Sequence, residues 1–230
     1  MKRTVIIVAG GRGVRMGGSL PKQFIPLHGK PVLMHTLEVF HQWDASAGLL
    51  VVIPREHAPY WAMLCRELRC DIPHRVVYGG DTRFQSVKNG LEQTEAADGI
   101  IAVHDGVRPL VARDVISSCF AAADAFGAAI PVVPVIESVR EMNESGSRPF
   151  DRNRLCLVQT PQVFRAEWLH RAYGRPCDGR FTDDASLVEA AGHAIRLVDG
   201  NRENIKITTP MDIKCAEFLL AEKMEMQSWK

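Results

Sequence analysis

The feature that most constrains this chain is a short apolar run, at residues 4–8, that leads directly into a glycine-rich loop. Every residue of the run (TVIIV) is β-branched, which is typical of a strand buried on both faces in a parallel sheet. The loop at residues 9–18 (AGGRGVRMGG) can turn tightly and point backbone N–H groups at a ligand. Arg12, Arg15 and Lys22 place cations close by. The segment therefore predicts a polyphosphate-binding loop.

Two familiar phosphate loops do not match this segment. The P-loop pattern ends in Gly-Lys-Ser/Thr, whereas Gly18 is followed by Ser19 and Leu20. The dinucleotide fingerprint requires a third glycine where Met16 stands, and it approaches pyrophosphate with backbone rather than with several basic side chains. A purely structural strand-to-helix turn with solvated arginines is the alternative that the segment alone leaves open.

Composition indicates a globular cytoplasmic protein. The chain has 230 residues, of which 46% are hydrophobic and 24% charged, enough for one generous core. A net charge of +1 gives no field for a nucleic-acid or membrane surface. The first apolar run is too short for a signal peptide and ends without a cleavage site, and no segment reaches transmembrane length. We therefore expect no nucleic-acid partner and no membrane attachment.

Cysteine and histidine spacing argues against disulfide and zinc frameworks. The six cysteines are irregularly spaced without a C-x-x-C pair, so we expect reduced and mostly buried thiols. The eight histidines form no H-x-H or H-E-x-x-H motif, so we expect no zinc site.

Strand and helix patterns alternate along the first part of the chain. Further strands are predicted at 49–53, 75–78, 99–104 and 128–133, and helices at 32–41, near 57–68, at 84–93 and at 113–126. This rhythm predicts a single α/β domain over residues 1–230 with a doubly wound, mostly parallel sheet. Such sheets bind ligands at the carboxyl ends of their strands.

The rhythm breaks after Val135, where a hairpin arm is predicted at residues 137–158. Residues 137–142 alternate with period two, and 143–147 (NESGS) form a turn cluster before the chain returns extended. The segment is too polar for a core, and a lone hairpin is barely stable in water. We expect it to pack against another protein surface, most simply that of a second copy of the chain. The alternative is a flexible segment exposed at the surface.

Two polar clusters follow strands and precede helices. Asp105 and Arg108 come after the strand at 99–103; Asp105 could hold Mg²⁺ directly or through water, or bond a ribose hydroxyl, and Arg108 could bind a phosphate. A local Asp–Arg ion pair is the alternative. The segment 79–86 (GGDTRFQS) enters a helix that Asp81 or Thr82 can cap, and its backbone with Ser86 could contact a base or ribose.

Two later segments carry weaker signals. Residues 182–184 (TDD) mark a helix N-terminus, which capping alone can explain. Lys206 lies between apolar neighbours just before a C-terminal helix; this suggests a functional lysine, with a snorkelling side chain as the alternative.

Six motifs in order resemble one family across residues 4–218. They are AGGRGVRMG with PKQF, GGDTRFQSV, HDGVRP, QTPQVF, TDDAS and NIKIT. Together they resemble the 2-C-methyl-D-erythritol 4-phosphate cytidylyltransferase (IspD) family of the non-mevalonate isoprenoid pathway. The resemblance implies a nucleotidyltransferase α/β domain of Rossmann-like type, whose β-arm interlocks two subunits as a homodimer.

The resemblance also implies the reaction and its residues. CTP and 2-C-methyl-D-erythritol 4-phosphate would give 4-diphosphocytidyl-2-C-methyl-D-erythritol and pyrophosphate, with Mg²⁺. Arg15 and Lys22 match transition-state stabilisers at the triphosphate, and Arg152 and Lys206 match residues that position the acceptor. Nucleotide contacts are expected at Ala9, Gly10, Gly11, Gly80, Asp81, Ser86, Asp105 and Gly106, and acceptor contacts at Arg108, Ser138, Thr160 and Thr182, with Asp105 as the candidate metal ligand.

The chain departs from the family pattern at two places. Gly106 and Val107 stand where alanines are common, which backbone recognition tolerates, and Ser138 stands where threonine is usual, which leaves its hydroxyl less fixed.

Three other functions are weighed against this one. A ribitol-5-phosphate cytidylyltransferase shares the fold and loop, but TDDAS and the arm favour the methylerythritol enzyme. A nicotinamide dehydrogenase is disfavoured because the third fingerprint glycine is missing. A catalytically silent nucleotide-binding regulator would be expected to lack Arg15, Lys22 or Lys206, and all three are present.

Overall fold

The structure is a computed structural model that describes residues 1–11, 20–94, 99–175 and 181–228. Its strands are β1 (Arg3–Val8), β2 (Pro26–Leu27), β3 (Lys30–Pro31), β4 (Gly48–Ile53), β5 (Arg75–Tyr78), β6 (Ile100–Asp105), β7 (Ala128–Pro134), β8 (Val139–Asn143), β9 (Gly146–Phe150), β10 (Cys156–Val158), β11 (Gln162–Arg165) and β12 (Arg196–Asp199). Its α-helices are α1 (Val32–Trp43), α2 (Ala58–Glu67), α3 (Arg83–Leu91), α4 (Arg113–Phe126), α5 (Ala166–Tyr173), α6 (Asp184–Ala190) and α7 (Pro210–Ser228).

One mixed sheet organises these elements in the order β10-β7-β11-β6-β1-β4-β5, with β12 paired to β7. β1 is parallel to both β4 and β6, and β4 is parallel to β5. The strand β11 is antiparallel to β6 and β7, as is β10 to β7. The β-branched residues 4–7 of β1 are buried as predicted, whereas Val8 at the end of the strand is half-buried. The predicted α/β class with a mostly parallel sheet is confirmed.

Helices cover both faces of the sheet, as the doubly wound prediction requires. Successive side chains of a strand point to opposite faces. Ile7 therefore packs with Phe40 of α1 and Ile116 of α4, whereas Ile6 packs on the other side with Val87 of α3 and Leu169 of α5. All these side chains are fully buried. This two-sided core holds the carboxyl ends of β1 and β6 side by side.

The arm is shorter than predicted. β8 and β9 form a separate antiparallel hairpin whose side chains are largely exposed, which agrees with the predicted polar arm. The prediction that the arm extends through residue 158 is wrong, because Cys156–Val158 pairs with Val132–Pro134 in the main sheet. A short 3-10 helix, Arg152–Arg154, connects the two.

The cysteine prediction is only partly right. The five described cysteines are free thiols, but of these only Cys119 is buried. Cys65 and Cys70 are half-buried, and Cys156 and Cys215 are exposed, so the expectation of mostly buried thiols is wrong. Cys177 lies outside the described residues. Within the described ranges, no helix is both long and apolar enough to span a membrane.

Candidate active site

A cavity of about 200 Å³ opens at the carboxyl ends of β1 and β6. This is the edge where a doubly wound sheet is expected to bind its ligand. Its walls come from the end of β1, the 3-10 helix Lys22–Phe24, the start of α3, the end of β6 and the segment before α7. The lining residues are Val8, Ala9, Gly10, Gly11, Lys22, Gln23, Gly80, Asp81, Thr82, Arg83, Ser86, Asp105, Val107 and Lys206.

The described start of the glycine loop, residues 9–11, and Lys22 meet at one wall of this cavity. A Cβ on Gly11 would lie 3.3 Å from Lys22 Cε, so the missing side chain lets the lysine pass close to the backbone. Lys22 is anchored by its neighbours Gln23 and Phe24, which are buried. Arg12 and Arg15 lie outside the described residues, so the predicted role of Arg15 stays a prediction.

A second wall is the N-terminus of α3. Thr82 is the N-cap, and its hydroxyl accepts a hydrogen bond from Gln85 N at 3.0 Å. The Ser86 hydroxyl donates to Thr82 O at 2.9 Å and accepts from Gly80 N at 3.2 Å. A Cβ on Gly80 would lie 2.2 Å from Gln85 Cγ, so this close turn favours glycine. Of the two predicted caps, Thr82 is correct and Asp81 is left exposed at the cavity.

The third wall is an ion cluster around Asp105. Asp105 Oδ2 lies 3.1 Å from Arg108 Nε and 3.1 Å from Lys206 Nζ. Burial alone would raise the pKa of Asp105, but Lys206 and Arg108 hold that pKa well below its ordinary value. The carboxylate is therefore ionised across the physiological range. The local Asp–Arg pair is present, and Lys206 extends it into a cluster of three charges, of which Asp105 and Lys206 line the cavity.

Lys206 reaches this cluster because the residues around it are anchored. Ile207 is fully buried and its N–H donates to Val107 O at 3.0 Å. The backbone carbonyl of Asn204 accepts a hydrogen bond from Arg108 Nη1 at 2.7 Å, and the Asn204 side chain is fully buried. The apolar neighbours of Lys206 thus fix its backbone. Its side chain is 42% exposed, and its ammonium contacts Asp105.

A buried histidine supports the cluster from behind. The Asp105 N–H donates to Thr160 Oγ1 at 3.1 Å, and Thr160 Oγ1 lies 3.0 Å from His104 Nδ1. His104 Nε2 lies 3.0 Å from the carbonyl oxygen of Arg108, which can only accept, so Nε2 carries the proton and Nδ1 accepts from Thr160. Burial lowers the pKa of His104 to about 4, so the ring is neutral at neutral pH. Thr160, predicted to contact substrate, uses its hydroxyl in these two bonds.

Gly106 brings the ends of β1 and β6 together. Its N–H donates to Val8 O at 2.8 Å, and a Cβ at this position would lie 2.8 Å from Ala9 Cβ. Gly106 itself is not among the residues that line the cavity, so its predicted nucleotide contact stays a prediction.

Several predicted site residues do not line the described part of the cavity. Ser138 is exposed beside the arm, and Arg152 donates through Nη1 to the carbonyl of Ile136. Thr182 is exposed just before α6, where Asp183 is the N-cap with a capping box. Within one chain, the structure brings together Lys22, Asp105, Arg108 and Lys206, but not the residues of the arm.

Sequence reasoning missed Arg83. This residue lines the cavity, and its guanidinium is paired with the buried Asp184. It lies inside the motif GGDTRFQSV, so its place in that motif was the available signal.

The site, a glycine loop and cations at the carboxyl edge of a doubly wound sheet, is typical of the class of α/β proteins that bind nucleotides. The profile of the 2-C-methyl-D-erythritol 4-phosphate cytidylyltransferase family (IspD) matches residues 3–222. The enzyme of that name from Bacteroides fragilis is 54% identical over 220 residues, covering 96% of this chain and 100% of the relative.

Solved structures agree with this match. The crystal structure of 2-C-methyl-D-erythritol 4-phosphate cytidylyltransferase from Thermus thermophilus has a TM-score of 0.77 and 32% identity, covering 95% of this chain and 98% of the other. The 4-diphosphocytidyl-2C-methyl-D-erythritol synthase from Anaerococcus prevotii has a TM-score of 0.82 and 26% identity, covering 96% of each chain. The chain belongs to the 2-C-methyl-D-erythritol 4-phosphate cytidylyltransferase family.

Proposed function

We propose that the chain joins CTP to 2-C-methyl-D-erythritol 4-phosphate, forming 4-diphosphocytidyl-2-C-methyl-D-erythritol and releasing pyrophosphate. The observation that carries the proposal is that Asp105 and Lys206, which form an ion cluster with Arg108, line one cavity with Gly10, Gly11 and Lys22, in a chain that belongs to this family. An oxygen of the acceptor phosphate attacks the α-phosphorus of CTP. The bond from that phosphorus to the bridging oxygen breaks, and the electron pair leaves with pyrophosphate.

The described cavity suits a reaction that requires little acid–base chemistry. The attacking oxygen belongs to a phosphate monoester whose second pKa is about 6, so it is largely dianionic at neutral pH. Alignment of two polyanions and compensation of charge at the α-phosphate are the main requirements. In this proposal Lys22, with Arg15 as its predicted partner, would bind the triphosphate, and Lys206 and Arg108 would bind the acceptor.

Asp105 is the residue that fits a divalent cation. Mg²⁺ is usually held by one or two carboxylates together with substrate phosphates, so a dedicated cage of protein ligands is not required. Among the described residues, no three candidate ligands cluster. Arg108 and Lys206 both contact Oδ2 of Asp105, which leaves Oδ1 as the atom that we assign to the metal or its water. When bound, Mg²⁺ would neutralise charge on the phosphates of CTP.

The remaining predicted contacts form part of the proposal. The backbone of Ala9, Gly10 and Gly11 would bind the nucleotide together with Gly80, Asp81 and Ser86. Arg152, Ser138 and Thr182 would bind the acceptor. Thr160 would act through the Asp105 backbone, since its hydroxyl is engaged there.

We further propose a cytoplasmic homodimer whose arm completes the partner's site. Ser138 and Arg152 do not line the cavity of their own chain as described, although both match residues of the acceptor site. Exposed apolar side chains gather at the root of the arm: Ile136 is 57% exposed, Leu157 53% and Val158 41%. Covering these side chains would remove apolar surface from water, which favours association. A second copy seated there would cover it and bring both arm residues across the interface.

The test is pyrophosphate release with CTP, Mg²⁺ and one acceptor at a time. Methylerythritol phosphate should support rapid release, and ribitol 5-phosphate should not. A reaction that contains neither acceptor measures the background hydrolysis of CTP. Rapid release with ribitol 5-phosphate alone would replace the proposed acceptor, and release with neither would contradict the proposed transfer.

A further inference from the structure

Arg83 is held at the cavity by a buried network that the proposed reaction does not yet use. Its Nη1 donates to Asp184 Oδ1 at 2.9 Å and its Nη2 to Asp184 Oδ2 at 2.6 Å, which is a bidentate pair. The hydroxyl of Tyr173 also donates to Asp184 Oδ1. The Asp184 side chain is 0% exposed, whereas that of Arg83 is 33% exposed on the cavity side.

The network joins three helices to the cavity wall. Arg83 is the first residue of α3, Tyr173 the last of α5 and Asp184 the first of α6. The ring of Phe84 stacks on that of Tyr173 at a centroid distance of 4.7 Å. A fully buried carboxylate is costly unless it is paired and hydrogen-bonded, and both conditions are met here. The guanidinium therefore has little freedom to turn.

The fixed guanidinium has donors left over. A guanidinium carries five N–H groups, and Asp184 takes two of them. Because Asp184 neutralises much of the charge, Arg83 offers oriented N–H donors more than net attraction. It lines the cavity together with the Gly80–Thr82 turn and with Asp105, whose pKa it helps to lower. That position suits an oxygen atom of a nucleotide lying along the start of α3.

We propose that Arg83 is a further nucleotide-binding residue of this cavity, and that Asp184 and Tyr173 are positioning residues that hold its guanidinium. The inference rests on the proposed function for the identity of the nucleotide, CTP. It assigns to α5 and α6, which do not line the described cavity, a part in nucleotide affinity.

The experiment measures CTP binding by calorimetry with Mg²⁺ and without acceptor, alongside thermal unfolding. Loss of the Arg83 guanidinium should weaken CTP binding by about 10- to 100-fold, the range for a hydrogen bond to a charged group, and Asp184→Asn, which removes the group that holds it, should cause a large part of that loss. Tyr173→Phe keeps the ring and the ion pair, and should weaken binding by about 2- to 10-fold. The paired variant Arg83→Gln with Asp184→Asn leaves no unpaired buried charge, so it tests the cation if Asp184→Asn alone fails to fold.

Ser186→Ala is the matched control for a merely structural effect. Ser186 completes the capping box of α6 with Asp183 and does not contact Arg83 through any bond of the network. It should lower the melting temperature and leave the Kd for CTP within about twofold, because a lost cap costs roughly 1 kcal/mol of stability only. Equal weakening of CTP in Ser186→Ala, or unchanged affinity in the paired variant, would overturn the inference.

The outcomes separate this inference from the proposed function. Wild-type protein that binds CTP but releases no pyrophosphate with methylerythritol phosphate contradicts the proposed transfer, while the binding series still decides the role of Arg83. Active wild-type protein with variants of unchanged Kd overturns the role of Arg83 alone. Wild-type protein that binds no CTP overturns both.

Discussion

Replacing Lys206 by methionine should separate catalysis from stability. Methionine keeps most of the length and apolar volume of the side chain but removes the ammonium that lies 3.1 Å from Asp105 Oδ2. If this ammonium compensates charge as the acceptor phosphate attacks, kcat should fall by roughly 10²- to 10³-fold, which corresponds to about 2.7–4 kcal/mol in the barrier.

The stability cost of the same change should be small. The Lys206 side chain is 42% exposed, and ion pairs of that exposure contribute about 0–1 kcal/mol. Asp105 also keeps Arg108, whose Nε lies 3.1 Å from the same oxygen, so its carboxylate does not become an unpaired buried charge. The free energy of unfolding should therefore change by no more than about 1 kcal/mol.

Lys30→Met is the matched control for this prediction. Lys30 pairs with Glu38 at 2.6 Å and its side chain is 47% exposed, so the change removes a similar ion pair away from the cavity. Steady-state pyrophosphate release gives kcat and the KM for each substrate, and urea titration gives the free energy of unfolding. A Lys206→Met enzyme within about threefold of wild-type kcat, or one whose lost activity matches its lost stability, would refute the reasoning.

Four further predictions follow from the other site residues. Arg15→Ala or Lys22→Ala should lower kcat by roughly 10²- to 10³-fold and leave the free energy of unfolding unchanged. Near wild-type turnover would contradict the proposed role of the loop. Arg152→Ala should raise the KM for the acceptor far more than that for CTP, and equal losses would point to structural damage. Subunit exchange between Lys22→Ala and Ser138→Ala proteins should restore a fraction of wild-type activity; no recovery after proven exchange would contradict the shared site. The folded-state pKa of Asp105 is lowered, so its ionised carboxylate contributes its full stabilisation above the unfolded pKa of about 3.9 and loses that stabilisation as the pH falls below this value. Wild type should therefore lose more free energy of unfolding than Asp105→Asn on acidification. Urea titrations between about pH 6 and pH 3 would measure the difference.

Local patterns predicted most of the sheet because its central strands β1, β4 and β6 are apolar and buried along nearly their whole length. The strand at 75–78 and the helix at 113–126 are confirmed at both ends, and the other predicted strands are within one residue or so of the structure. The extent of the arm was not predictable in the same way. The sequence of residues 156–158 predicts an extended strand whether the segment belongs to the arm or to the main sheet. Only its pairing with β7 decides that it joins the main sheet.

The residues of the candidate site likewise differ in whether the local sequence could identify them. Asp105 and Lys206 could be identified because each lies next to an apolar run that fixes the backbone at a sheet edge. The pairing of Arg83 with Asp184 could not, because these residues are 101 positions apart and their motifs read equally well as helix caps. The bonds of the Thr160 hydroxyl could not be predicted from the sequence either. This hydroxyl bonds the buried His104 and the Asp105 N–H instead of facing the cavity.

The sequence by itself determined the α/β class, the ligand-binding edge and the family, since these depend on periodicity, glycine placement and short motifs in order. Only the tertiary structure decided which charges meet and which hydroxyls are engaged. Ion pairs and buried hydrogen bonds depend on distances between elements remote along the chain. Those distances are set by the packing of helices on both faces of the sheet, which no local pattern encodes.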